Sequence, residues 1–268
     1  DNTIKHWDID SGACMNNFEG SSNWHMSISI LNDGTFLSVS DNDTVKHWDI
    51  GSGVCMKTFK RYSVSIVCLS VIGDGTFLSG STDGRIEHWD IASGVHLQTF
   101  QGPQGHYLHW VTCLSVLSDG TFLSGADDKT LKHWDIASGV CLKTFEGHWH
   151  QLTCISGLDD RTFLSGSWDR TIKRWDIRSG SCLKTFEGHS DHVTCICVLN
   201  DGTFLSGSKD HTIKHWSTPL SRAIKETRTR KSVLMGDLEE YSYLPPEGDF
   251  RGGPRFKEAK RNFYNINF

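Results

Sequence analysis

Six tryptophans recur along the chain at an almost constant spacing, and this period is the strongest constraint on the fold. The gaps between successive members are 41, 41, 45, 41 and 41 residues. A fixed period of this size indicates one supersecondary unit that is copied along the chain. The six residues are Trp7, Trp48, Trp89, Trp134, Trp175 and Trp216.

Each copy contains four short runs that have the composition of β-strands. The runs are exemplified by VTCLSVL, TFLSGS, TIKHWDI and CLKTF, which we letter a, b, c and d in chain order. They are rich in β-branched and aromatic residues and are bounded by Gly, Asp, Asn or Ser, as strands joined by tight turns are. We predict an all-β fold with no helix before Pro219. A four-stranded sheet cannot bury both faces alone, but sheets repeated around an axis can pack on each other like the blades of a propeller.

The copies at the two ends of this sequence are incomplete. The first begins at the turn between strands b and c, and the last stops after strand c at residues 216–217. We therefore expect two strands, then four whole sheets, then three strands. This is an incomplete or degenerate propeller of about five to six blades of four antiparallel strands, spanning residues 1–217.

Two runs carry a resemblance to a known family. SGSWDRTIKRWDI (165–177) and KTFEGHSDHVTCI (184–196) resemble WD-repeat β-propellers, with the Trp-Asp and Gly-His dipeptides at the family spacing. The resemblance covers about residues 1–217. It implies a buried hydrogen-bonded set made of the turn Asp between strands b and c, the His of Gly-His, a strand-b Ser or Thr, and the Trp. The implied structural residues are Asp83, Asp128, Asp169, Asp210, His148, His189, Trp134, Trp175 and Trp216.

The early copies depart from this pattern. Asn42 replaces the turn Asp of the second copy, Lys60-Arg61 stands where Gly-His is expected, and His106 is one residue out of register. Only the copies that end at Trp175 and Trp216 have the full set. We expect the early sheets to be the less stable ones, because a missing partner leaves buried polar groups less well satisfied.

The cysteines and histidines do not predict a metal site. Four of the nine cysteines lie 21 residues before a repeat tryptophan and four lie seven after one, so they behave as one repeated apolar position in a reduced state. No CxxC pair exists. Five histidines precede repeat tryptophans, but equivalent positions on neighbouring sheets are about 10 Å apart, too far to share one zinc ion. We expect no metal and no cofactor.

Two histidine-containing clusters contain residue types that catalysis uses. His148-Trp149-His150 offers two imidazoles, and Ser190-Asp191-His192 holds the three residue types of a hydrolase triad in a row. However, adjacent residues in one loop cannot adopt the mutual geometry that activates a nucleophile, and no phosphate-binding glycine loop is present. The sequence therefore predicts that the protein is not an enzyme.

The tryptophans outside the repeat position indicate a binding face. Strands alternate in direction, so the d-to-a and b-c connections lie on one face of the disc, and Trp24, Trp110, Trp149 and Trp168 all map to these connections. Aromatic side chains with a few cations are typical of interaction hot spots. The predicted partner-binding residues are Trp24, Tyr62, Tyr107, Trp110, Trp149, Trp168 and Lys209.

Residues 218–268 differ in composition from the repeats. This Pro-containing tail contributes +3 to the net charge of -5, so residues 1–217 carry -8. We expect the tail to be partly disordered, with the strand-like pieces SVLM and YSYL leaving room for docking on the propeller.

A body of charge -8 disfavours a nucleic-acid partner. No apolar run approaches the roughly 20 residues of a membrane span, and the reduced cysteines favour a cytoplasmic or nuclear location.

The favoured function is a non-enzymatic scaffold that presents an aromatic loop face to a protein or peptide partner. The resemblance implies the same, because WD-repeat propellers mostly assemble protein complexes. A narrower alternative is the substrate-receptor propeller of a ubiquitin-ligase-type complex, although the b-c turns lack an arginine cluster for phosphopeptides. Two further hypotheses are a decayed or truncated repeat fragment without independent function and a propeller that binds a small ligand in its channel.

Overall fold

The computed structural model describes residues 3–19, 27–40, 44–60, 65–101 and 109–217. These ranges contain 21 strands in six sheets and no helix. The all-β prediction and the expected series of two, four whole sheets and three strands are confirmed. The predicted tail, residues 218–268, lies outside the described residues.

The strands follow one another in the lettered order, and neighbours in each sheet are antiparallel. The first two sheets contain β1 (Thr3–Trp7) and β2 (Cys14–Glu19), then β3 (Ile28–Ile30), β4 (Thr35–Ser40), β5 (Thr44–Asp49) and β6 (Cys55–Lys60). The third and fourth contain β7 (Ile66–Ile72), β8 (Thr76–Ser81), β9 (Ile86–Asp90) and β10 (His96–Phe100), then β11 (Val111–Val116), β12 (Thr121–Ala126), β13 (Leu131–Asp135) and β14 (Cys141–Phe145). The last two contain β15 (Leu152–Asp159), β16 (Thr162–Ser167), β17 (Ile172–Asp176) and β18 (Cys182–Phe186), then β19 (Val193–Val198), β20 (Phe204–Ser208) and β21 (Ile213–Trp216).

A repeated aromatic trio holds each sheet against the next. The strand-d Phe145 meets the strand-b Phe163 of the following sheet edge to face, with ring centroids 5.1 Å apart. Phe145 also meets Trp175 at 5.9 Å, and Phe163 stacks on Trp175. Equivalent trios lie at the other four junctions between consecutive sheets. Edge-to-face pairs stabilise beyond their buried area, so the repeat tryptophan is the centre of each inter-sheet core.

Close packing near the axis explains the glycine of the TFLSGS run. The a strands of sheets three to six lie against one another in sequence, and their cysteines lie over the strand-b glycines. A Cβ on Gly125 would lie 2.7 Å from Cys113 Sγ and 2.9 Å from Leu152 Cβ. Burial raises the pKa of the Cys113 thiol, and Cys68 and Cys154 are buried alike. These thiols act as packing groups, as their repeat position predicts.

Three of the five histidines that precede repeat tryptophans, those of the second, third and fourth sheets, belong to a second repeated network on the opposite side of the sheets from the b-c turns. His133 Nε2 lies 2.8 Å from Thr121 Oγ1, and that hydroxyl donates to Asp119 Oδ1 at 2.5 Å. His47 and His88 are bonded to the equivalent threonines at 2.8 and 2.7 Å. All three histidines are buried. They are structural groups packed between blades, and sequence analysis missed their threonine and aspartate partners.

The two ends of the series of sheets are less well covered than its centre. Each of the five hydrophobic clusters joins consecutive sheets, and none of these clusters of described residues joins the sixth sheet to the first. Trp7 in the first sheet is 53% exposed and Ile213 in the sixth is 78% exposed, whereas Ile172 at the equivalent position of the fifth is fully buried. The sheets therefore form an incomplete propeller without visible closure among the described residues.

Candidate functional site

In the third to sixth sheets, a backbone hydrogen bond ties the b-c turn to the residue that precedes strand a of the same sheet. Trp168 N donates to Gln151 O at 3.1 Å, and Lys209 N donates to His192 O at 2.9 Å. The pairs Thr82 with Ser65 and Asp127 with Trp110 repeat this bond in the third and fourth sheets. The b-c and d-to-a connections therefore lie together on one face, which we call the loop face. The a-b and c-d connections lie on the other face, because the strands alternate in direction.

The b-c turns of the later sheets place non-glycine residues in the left-handed region. Lys129, Arg170 and His211 have φ values of 72°, 68° and 63°, and Gly84 has the same role in the third sheet with φ 78°. An L-residue in this conformation costs roughly 1–2 kcal/mol. The turn aspartate offsets this cost: Thr171 N and Oγ1 both donate to Asp169 Oδ1, at 2.9 and 2.6 Å.

In the fifth sheet, the implied structural set forms one continuous hydrogen-bonded chain. His148 Nδ1 lies 2.6 Å from Asp169 Oδ2, and His148 Nε2 lies 2.7 Å from Ser165 Oγ. Trp175 Nε1 donates to the same hydroxyl at 2.8 Å. Burial opposes ionisation of Asp169, but the hydrogen bonds from His148 and Thr171 outweigh it and lower the pKa of this carboxyl to about 2.

The sixth sheet contains the same chain. His189 bridges Asp210 and Ser206 at 2.8 and 2.7 Å, and Trp216 Nε1 donates to Ser206 at 2.8 Å. Burial raises the pKa of Asp210, but hydrogen bonds from Thr212 and His189 reverse the effect and hold it below its ordinary value. These two complete sets lie directly beneath the loops of the fifth and sixth sheets.

The third and fourth sheets hold partial sets. Asp128 accepts from Thr130 N and Oγ1 at 2.9 and 2.7 Å, and Trp134 Nε1 donates to Ser124 at 2.9 Å. Asp83 accepts from Ser81 Oγ and from Arg85 N. Neither aspartate bonds a histidine within the described ranges. Among the described residues, the b-c turns of these two sheets are therefore supported by fewer hydrogen bonds than those of the fifth and sixth.

Five side chains of the fifth and sixth sheets meet on the loop face. The Trp168 ring stacks on the His192 imidazole with centroids 4.4 Å apart and an interplanar angle of 10°. Lys209 Nζ lies 5.2 Å from the Trp168 ring centre, and His150 lies 5.4 Å from the same tryptophan. Trp149 meets His150 at 6.3 Å and is 63% exposed. We call this group the loop-face cluster; it comprises Trp149, His150, Trp168, His192 and Lys209.

The surroundings of the His192 imidazole favour its neutral form. Burial lowers its pKa, and Lys209, His150 and Arg170 act in the same direction, while Asp191 opposes them. A neutral ring can lie beside the Lys209 ammonium and stack on Trp168 without charge repulsion. The cluster thus presents aromatic surface together with the cation of Lys209.

The other predicted partner-binding residues have different placements. Trp110 lies on the loop face of the fourth sheet and is 46% exposed. Trp24, Tyr62 and Tyr107 lie outside the described residues. Sequence analysis placed Trp149, Trp168 and Lys209 on one face, where the structure also has them. It considered His150 and His192 only as catalytic candidates. Both histidines lie in d-to-a connections, and this position could have assigned them to the predicted binding face.

Ser190, Asp191 and His192 are not arranged as a catalytic triad. Ser190 N donates to Asp210, His192 N donates to Asp191 Oδ1, and the His192 ring stacks on Trp168. In the described part of the chain, no group of three or more His, Cys, Asp or Glu side chains is placed to hold a metal ion. The same ranges contain no helix long and apolar enough to cross a membrane.

The repeat architecture also has a match among known families. The family model described as "WD domain, G-beta repeat" matches five successive segments, residues 12–49, 53–90, 94–135, 139–176 and 180–217. The chain belongs to the WD-repeat family. Comparison with curated proteins gives no match. WD40 repeats generally mediate protein-protein interactions, and WD-repeat proteins are typically non-enzymatic scaffolds.

Proposed function

We propose that this WD-repeat protein is a non-enzymatic scaffold whose loop face binds a protein or peptide partner. The observation that supports the proposal most strongly is the loop-face cluster, in which Trp149 is 63% exposed beside a stacked Trp168. Burying a tryptophan in an interface contributes a large share of binding energy. A cluster already ordered before binding loses little conformational freedom when the partner arrives.

The support beneath the cluster favours this site over the loops of the other sheets. Trp149 follows His148 directly, and its backbone N donates to Asp169 Oδ2 at 3.2 Å. Trp168 precedes Asp169 in the same turn. Because His148 and Asp169 belong to a complete hydrogen-bonded set, both tryptophans are attached to a rigid base. The partner of such a site covers Trp149 and places a hydrogen-bond acceptor or a carboxylate beside Lys209.

A selection experiment tests the proposal with peptides in the place of the natural partner. Peptides enriched from a random display library on the wild-type protein should bind Trp149→Ala and Trp168→Ala weakly. Val140→Ala is a matched control, because Val140 is 53% exposed and lies in a c-d connection on the opposite face. Peptides that bind all three variants as well as the wild type would refute the loop-face site.

A further inference from the structure

The side chains of the loop-face cluster present hydrogen-bond donors to a partner. Trp149 and Lys209 are exposed and Trp168 is half-buried. Their donor atoms, the two indole Nε1 atoms and the ammonium Nζ, bond to no acceptor in the described part of the chain and are not buried. Indole and ammonium groups donate but do not accept. The acceptors that satisfy them in a complex must therefore come from the partner.

The imidazole of His150 adds another donor. His150 Nδ1 accepts from Gln151 N at 2.9 Å, so the proton of the neutral ring is on Nε2. The second imidazole is turned inward: His192 Nε2 lies 3.6 Å from Asp191 Oδ1, and its Nδ1 is buried without a partner among the described residues. His150 Nε2 is therefore the imidazole donor that a partner can reach.

Two cations lie beside these aromatic rings. Lys209 Nζ is 5.2 Å from the Trp168 ring centre, and Arg170 is exposed in the turn that contains Trp168. Both charges lower the pKa of His192, so both lie near its ring. Asp191 opposes them, but its Oδ1 already accepts from His192 N at 2.7 Å. Neither cation forms an ion pair with a described residue, and the pair therefore favours an anionic group on the partner.

The backbone at Arg170 is an independent observation. Its φ of 68° is a conformation that glycine adopts freely, and Gly84 adopts it in the third sheet. The equivalent residues of the fourth and sixth sheets, Lys129 and His211, are also exposed and have positive φ. Strained backbone is concentrated at binding sites. Three neighbouring sheets thus hold a basic or imidazole side chain on the loop face where glycine would be less strained.

We propose that the partner of the loop-face cluster is an acidic peptide segment, in which an aspartate or glutamate carboxylate contacts Lys209 and Arg170 and an apolar neighbour covers Trp149. This inference rests on the proposed function, because it specifies the partner of the same site. An ionised carboxylate has acceptors and no donors, so it matches the ammonium, the guanidinium and the ring N–H groups. A cationic segment is disfavoured, because Lys209 already lies against the Trp168 ring that a cation would use.

Aromatic rings with cations also occur in sites for single-stranded nucleic acid. The repeats, however, carry a net charge of -8, and Asp127 and Asp128 of the fourth sheet are partly exposed on the same face. A chain of phosphates that extended over the fourth sheet would meet these carboxylates. A peptide can place one carboxylate at the two cations and neutral residues beyond them, so the observations favour a peptide.

Peptides selected from a random display library on the wild-type protein test the inference. We expect Asp and Glu to be enriched over the unselected library. Replacing the selected Glu by Gln, or Asp by Asn, should raise the Kd for the wild type about tenfold, since hydrogen bonds to charged groups are the strong ones. The same replacement should change the Kd for Lys209→Met/Arg170→Gly by less than about twofold, because the partner cations are gone. Glycine at position 170 adopts the positive φ without strain.

Arg178→Met is the matched control. It removes an exposed cation from a c-d connection of the same sheet, on the opposite face. The difference of about tenfold between the acidic peptide and its amide version should persist in this variant. Persistence of that difference in Lys209→Met/Arg170→Gly would overturn the inference.

Binding to Trp149→Ala separates a failure of this inference from a failure of the proposed function. Peptides that bind Trp149→Ala weakly but are not enriched in acidic residues would overturn the acidic partner and leave the binding face in place. Peptides that bind Trp149→Ala as well as the wild type would refute both. An oligothymidine of about 12 nucleotides that binds more tightly than the peptides at about 0.15 M salt, and loses affinity for Trp149→Ala, would assign the site to nucleic acid instead.

Discussion

The contribution of a turn aspartate to stability depends on how many buried groups it forms hydrogen bonds with. Asp169 has a side chain without solvent exposure and accepts from His148, Thr171 and the backbone of Trp149. Asp128 occupies the equivalent turn position of the fourth sheet, but its side chain is 18% exposed and accepts from Thr130. Aspartates at the same repeat position thus form different sets of hydrogen bonds.

Asp169→Ala should therefore destabilise the protein more than Asp128→Ala. Removing Asp169 leaves His148 Nδ1 and the partly buried backbone N–H groups of Trp149 and Thr171 without an acceptor, which should cost about 1–3 kcal/mol. Asp128→Ala removes bonds to a half-exposed threonine and should cost less. Chemical denaturation of both variants measures the difference, and equal losses would show that the histidine set adds no stability.

The strand-b glycines allow a second prediction at this scale. Gly125→Ala would place a methyl group 2.7 Å from Cys113 Sγ, so we expect overpacking to cost about 1–3 kcal/mol. Gly157→Ala is the control, since the atom nearest to its new methyl group would be Leu117 Cδ2 at 3.5 Å. Thermal unfolding should show a lower Tm for the first variant only. If Cys113→Ala does not improve the stability of Gly125→Ala, the contact with sulfur is not the cause.

At the scale of the sheet, strands b and c share two hydrogen-bonded networks that act at different pH. Burial lowers the pKa of His47, His88 and His133, and hydrogen bonds lower the pKa of Asp169 to about 2. For these histidines and for Asp169, the pKa is higher in the unfolded chain than in the folded sheet. Protonation therefore favours unfolding, first through the histidines and then through the aspartate.

We expect the free energy of unfolding to be constant between about pH 7 and pH 8 and to fall as the pH drops below about 6.5, the ordinary pKa of histidine. A second fall should begin below about pH 4, from the aspartates. Urea denaturation between pH 8 and pH 3 would measure the profile. The triple variant His47→Gln/His88→Gln/His133→Gln keeps donors to the threonines and should lose most of the first fall. A first fall of the same size in that variant would assign it to other groups.

For the whole molecule, the sequence predicted more of the fold than of the site. The tryptophan period predicted the six sheets and the incomplete ends, because each trio such as Phe145, Phe163 and Trp175 repeats along the chain. The stacking of His192 on Trp168 could not be predicted, since it depends on how two neighbouring sheets approach each other. The partners of His133 were missed because Thr121 and Asp119 have the pattern of ordinary turn residues.

The loop face of the fifth and sixth sheets is the surface through which we propose that the whole molecule binds its partner. Trp149 is the side chain to test, because it is 63% exposed and removing its ring leaves the hydrogen-bonded chain beneath intact. Its truncation should change the free energy of unfolding by less than about 1 kcal/mol, as surface truncations away from such networks usually do.

The Kd of a selected peptide for the wild type, Trp149→Ala and Val140→Ala, measured by fluorescence anisotropy, decides between the two faces. We expect Trp149→Ala to weaken binding by about 2 kcal/mol or more, roughly thirtyfold in Kd. Val140→Ala on the opposite face should bind as the wild type does. An unchanged Kd for Trp149→Ala together with a raised Kd for Val140→Ala would refute the loop-face site and place the partner on the other face of the sheets.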